Sequence, residues 1–153
     1  MKHFFFLFLI SFSLTINAQG SFFANVQGDW KGTGTLFQKP AEYTMSWDYV
    51  LDSSFVRLQF TNMIVGGGWT FEAQGFYPMS SKGNGTWVDN RGVTQSLDID
   101  VTENELTVIW ESSTEKGKTV YSINTDGTLS VLDFVFKNDN WKQFGEAKYV
   151  RSE

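Results

Sequence analysis

A chain of 153 residues with a net charge of −5 at pH 7, no cysteine and one histidine has its chemistry bounded early. The acidic balance argues against nucleic acid and anionic membrane surfaces as partners, and without cysteine the fold rests on its core rather than on disulfides. The histidine is His3, inside a segment expected to be removed; the remainder then lacks the side chains of the usual zinc site, of a Cys or Ser/His nucleophilic pair and of a His-ligated haem.

Residues 1–18, MKHFFFLFLISFSLTINA, carry a short basic start, an apolar run too short to span a membrane comfortably, and a small residue, Ala18, where cleavage is expected. This is the pattern of a signal peptide, so an exported protein, periplasmic or secreted and soluble, is expected, with no membrane span left after cleavage. Residues 19–153 suffice for one domain.

The next stretch, GDWKGTGTLF from Gly28 to Phe37, does not cradle phosphate, because Lys31 precedes Gly32 and no Lys-Ser/Thr pair follows Gly34. It reads as a first strand whose glycines let a backbone or a ligand come close. If Trp30 faces inward, Gly32 and Gly34 do too, and they are expected to leave interior volume beside the strand.

Beyond it the chain alternates apolar and polar residues in short runs with no long helical period. Tyr43, Met45, Trp47 and Tyr49 alternate with Thr44, Ser46, Asp48 and Val50, as Leu97, Ile99 and Val101 do with Asp98 and Asp100. Turn signals fall at 52–53, 65–68, 80–84, 90–92, 103–104, 115–117, 125–127 and 138–140. The spacing predicts about ten strands and an all-β, single antiparallel up-and-down barrel. Pro40 and Pro78 fall at strand ends, where a missing amide does no harm.

Gly28-x-Trp30 opening the first strand, with Arg151 on the last, resembles the base of lipocalin-like barrels, the calycin group. The ordered set GDWKGTG, WDYVLDSSFVRLQF, GTWVD, TVIWE and WKQFGEAKYVR is more similar to nitrobindin-type barrels and a secreted bacterial relative of them. That resemblance implies a barrel over residues 19–153 and haem bound through a histidine on a late strand. The comparable region, Trp141 to Arg151, has no histidine, so no cofactor is expected; Tyr149 is the one phenolate there that ferric iron would accept.

Trp30 and Arg151 are read as structural, a guanidinium stacked on an indole at the closed end. Along the last strand, alternation sends Trp141, Gln143, Gly145, Ala147, Tyr149 and Arg151 inward and Phe144, Glu146 and Lys148 outward. Met45, Trp47, Tyr49, Trp69, Tyr77, Trp110, Tyr121 and Tyr149, with Gly32 and Gly34, are the candidate ligand-binding residues of an aromatic interior. Asp133 sits in the row Leu129, Val131, Asp133, Val135, where it would orient a ligand if inward, but the opposite row is equally apolar and leaves the face open. Arg57 and Gln59 pose the same choice between a ligand head group and ordinary surface.

The leading expectation is a binding module holding a small apolar or amphipathic molecule in the barrel. The alternatives are an enzyme using Glu72, Asp89, Tyr121 or Asp133 as acid and base, a barrel filled by its own side chains, and an outer-membrane barrel, against which Glu72, Asp89 and Glu146 interrupt strands. No metal site is expected: Asp98 with Asp100 and Glu103 with Glu105 read as solvated faces.

Overall fold

Along the second strand Ala41, Tyr43, Met45 and Trp47 are buried while Glu42 and Thr44 are exposed, the period-two pattern of a sheet with one face on a core. The same pattern repeats throughout the computed structural model, which describes residues 21–152; His3 and the expected leader, residues 1–18, lie outside them. A short helix α1 (Ser21–Val26) precedes β1 (Gly28–Leu36), β2 (Lys39–Val50), β3 (Phe55–Ile64), β4 (Phe71–Pro78), β5 (Lys82–Asp89), β6 (Thr94–Val101), β7 (Glu105–Glu111), β8 (Lys116–Ile123), β9 (Leu129–Lys137) and β10 (Asn140–Arg151). Each strand pairs antiparallel with the next, and β1 pairs with β10. The result is the expected all-β, closed up-and-down barrel, consistent with a calycin-like fold.

Closure depends on the first and last strands meeting. Trp30 and Arg151 are register partners across β1 and β10, and the guanidinium lies 4.3 Å from the indole centroid. Arg151 also donates to the carbonyls of Gln27 and Asn25, and Trp30 Nε1 donates to the Val26 carbonyl at 2.7 Å. The same pair therefore holds α1 under the barrel. Phe22, Phe23 and Val26 of that helix are fully buried, with Phe22 edge-on to Trp47 and Phe23 against Tyr77, so α1 plugs one end. Six residues are too few to register as a helical period in the sequence.

The turns fall at or beside the expected signals, except that residues 82–84 and 116–117 lie in β5 and β8, and there is one addition. Phe37 and Gln38 join β1 to β2 with φ of 50° and 64°, although neither residue favours that region. Phe37 N–H donates to the Phe144 carbonyl at 2.7 Å, and the two rings stack at 5.3 Å. A tertiary contact holds a turn that local chemistry does not announce.

Four expectations about which way residues point are corrected. First, the space above Gly32 is filled, since a Cβ there would stand 2.5 Å from the Tyr149 ring, and one on Gly34 would meet the Glu146 carbonyl. These glycines admit the neighbouring strand rather than leave volume. Second, β10 shifts register between Gln143 and Gly145, which turns Trp141 and Gln143 out to solvent and Phe144 toward the interior; one extra residue reverses the facing of a strand. Third, Tyr49 lies near the end of β2 and is 40% exposed. Fourth, Arg57 points outward, because its neighbours Val56 and Leu58 take the core face, and it holds its register partner Asp48 at 3.0 Å.

Candidate functional site

The end of the barrel opposite α1 is open, and a cavity of about 570 Å³ runs inward from it. Turn and strand-end residues from all five hairpins at that end reach its lining: Phe37, Trp69, Arg91, Glu115 and Lys137. Three aromatics on β3, β4 and β5 form one wall, with ring centroids 5.9 Å apart for Phe60 and Trp87, 6.1 Å for Phe60 and Phe71 and 6.5 Å for the stacked Phe71 and Trp87. Elsewhere in the lining Trp110 of β7 meets Phe144 of β10 at 6.5 Å. Trp110 lies flat because its register partner is Gly117, where any side chain would run into the indole.

Arg91 is fixed at the mouth from two sides. It donates to Asp89 through Nη2 at 2.8 Å and stacks 5.4 Å from the Phe71 centroid, with Glu115 at 3.8 Å. Burial works against ionising Asp89, but the hydrogen bonds from the Arg91 side chain and from the backbone N–H groups of Arg91 and Val93 outweigh it, and the carboxyl lies below its usual range. Asp89 is thus committed to the turn.

The polar groups inside are few. Asp133 faces the cavity because Leu129 and Val131 of its row are buried and Leu132 of the opposite row is exposed. Its carboxylate lies against Gly145, the register partner on β10 that has no side chain to obstruct it. Trp110 Nε1 donates to Thr119 Oγ1 at 3.2 Å, and Thr119 Oγ1 donates to Asp133 Oδ1 at 2.7 Å. Burial pushes the Asp133 carboxyl up to about 6, against the opposing Thr119 hydrogen bond. Among the described residues no cation pairs with it. Gln95, only 5% exposed, also lines the cavity. Burial, with the charge of Asp133 adding to it, raises Tyr43, Tyr77, Tyr121 and Tyr149, so these phenols stay protonated at neutral pH.

Of the candidates read from the sequence, Trp69, Tyr77, Trp110, Tyr121 and Asp133 line the cavity. Met45, Trp47 and Tyr149 lie in the core but not in the lining; Tyr49, Arg57, Gly32 and Gly34 lie apart from it. Gln95, Thr119, Trp87, Phe60, Arg91 and Phe144 are among the lining residues that were not candidates from the sequence. Gln95 had a signal, as the polar first member of the row Gln95, Leu97, Ile99, Val101. Phe144 had none, since the register shift reverses its facing.

The haem implied by the nitrobindin-type resemblance does not fit these residues. None of the described residues is a histidine, and Tyr149 is fully buried, with its ring over Gly32 rather than in the cavity wall. Among the described residues no three His, Cys, Asp or Glu side chains gather as a metal site. No protein-family model matches the sequence, and no curated protein matches it.

Proposed function

We propose that this protein is an exported small-molecule binding protein, periplasmic or secreted, that holds one largely apolar ligand inside a lipocalin-like barrel of the nitrobindin type. The observation that carries the reading is the one-ended, aromatic-walled cavity of about 570 Å³, a size within the range of small-molecule sites. Supporting it, the plug of α1 closes the far end, so a ligand has one route in. The leader-like residues 1–18 support export. The outward rows carry Lys31, Glu42, Glu72, Asp98 and Lys148, all exposed, which argues against a lipid-facing band. Among the described residues no helix is long and apolar enough to cross a membrane.

Titration with the neutral fluorophore N-phenyl-1-naphthylamine tests the reading. Saturable one-site enhancement with quenching of tryptophan emission is expected, since Trp87 and Trp110 line the site. Enhancement that rises linearly without saturating would contradict it. A second reading, an acid–base enzyme, draws on Asp133, a carboxylate raised by burial and facing a cavity. Recovery of a natural ligand chemically unchanged after prolonged incubation separates carrier from enzyme.

A further inference from the structure

We propose that the barrel's ligand is an organic ammonium, an aromatic or alkyl body bearing a protonated amine, whose N–H groups sit on the unpaired oxygen of Asp133. This rests on the binding reading above and specifies its ligand class. The interior holds the Asp133 carboxylate but, among the described residues, no cation to match it. Thr119 satisfies Asp133 Oδ1 at 2.7 Å, while no hydrogen bond or ion pair within the described residues reaches Oδ2. Such a group is costly to bury alone and favourable to bury with an opposite charge that donates hydrogen bonds.

The surroundings point to the same chemistry. Asp133 is faced by Tyr43 from β2, Tyr77 from β4, Thr119 and Tyr121 from β8, and Tyr149 from β10. All are uncharged at neutral pH, and none cancels the carboxylate. The charged lining groups, Arg91, Glu115, Lys116 and Lys137, come from the hairpins at the mouth. Aromatic faces attract a cation, and those of Phe60, Phe71, Trp87 and Trp110 line the route in. Gln95, also in the lining, is a polar side chain whose carbonyl is an acceptor for a ligand N–H. An anionic head group would meet Asp133 with like charge, and a wholly apolar ligand would leave its carboxylate without a counter-charge.

The test is displacement of N-phenyl-1-naphthylamine by three ligands that share one ring system: 2-(1-naphthyl)ethylamine, 2-(1-naphthyl)ethanol and 1-naphthaleneacetate. The ammonium is expected to displace the probe at a concentration lower than the alcohol by about tenfold or more, with the carboxylate weakest. Asp133→Asn, which keeps an oxygen for Thr119 to donate to, is expected to erase that preference. In the wild type, ammonium affinity is expected to weaken as the pH falls through about 6, where Asp133 takes up its proton, while the alcohol's stays level. Equal displacement by the alcohol, stronger displacement by the carboxylate, or a preference that survives both Asp133→Asn and low pH overturns the ammonium assignment and leaves the binding reading standing. Failure of the wild type to bind the probe or any naphthyl ligand saturably overturns the binding reading, and this inference with it.

Discussion

An aspartate set in an aromatic wall costs stability in proportion to how far its charge is desolvated. The Asp133 carboxyl moves from 3.8 to about 6 on folding, which corresponds to about 3 kcal/mol of differential interaction between its two protonation states. Between those values the folded protein keeps a proton that the unfolded chain has released, so stability falls as pH rises through the window and stays lowered above it. Asp133→Asn is therefore expected to raise stability by about 3 kcal/mol at pH 8 and by only about 0.5 kcal/mol at pH 4. Urea midpoints at the two pH values measure this, and a difference that does not change with pH would contradict the assignment. Trp30 and Arg151 make the opposite kind of pair, exposed at the guanidinium and buried at the indole. Trp30→Ala is expected to cost ~3–5 kcal/mol and Arg151→Ala less, with a coupling of ~0.5–2 kcal/mol in a double-mutant cycle. Zero coupling would mean that the stacking does not contribute to closure. This pair was legible in the sequence because a Gly-x-Trp start and an arginine on the last strand mark the two strands that must meet.

At the scale of elements, the barrel repeatedly sets a glycine under an aromatic ring on the neighbouring strand: Gly32 under Tyr149 and Gly117 under Trp110. Glycine in a strand is ordinarily weaker than alanine by ~0.5–1 kcal/mol. Here the sign reverses, and Gly32→Ala or Gly117→Ala is expected to cost ~1–3 kcal/mol through the displaced ring. Thermal melts check this, and a rise in melting temperature for either variant would contradict it. The sequence told that Gly32 and Gly34 admit a close approach but not what approaches, because the answer depends on the register of β1 against β10. The register shift in β10 was likewise hidden: WKQFGEAKYVR alternates smoothly enough that Phe144 reads as outward. For α1, Phe22→Ala and Phe23→Ala are each expected to cost ~3–5 kcal/mol, measured by urea unfolding. A cost below ~1 kcal/mol for both would mean that the helix is not part of the core.

For the whole molecule, the distinction between a filled and an open barrel lay beyond the sequence, since both demand the same alternation of apolar and polar residues. Strand number, antiparallel closure and the proline positions followed from period-two patterning and turn chemistry. The cavity followed from how the inward rows divide. Tyr43, Met45, Trp47 and Tyr149 crowd the core beside the α1 plug, while Phe60, Trp87 and Trp110 line the open half without closing it. Alternation assigns a residue to a face but not to a height along the barrel, and height decides whether an aromatic fills space or borders it. The central claim is that this space takes a ligand, and anomalous diffraction from a crystal soaked in 1-bromonaphthalene measures it most directly. A bromine peak inside the barrel, bordered by Phe60, Trp87 and Trp110, is expected. Bromine found only on the outer surface, with lining side chains occupying the cavity, would contradict it.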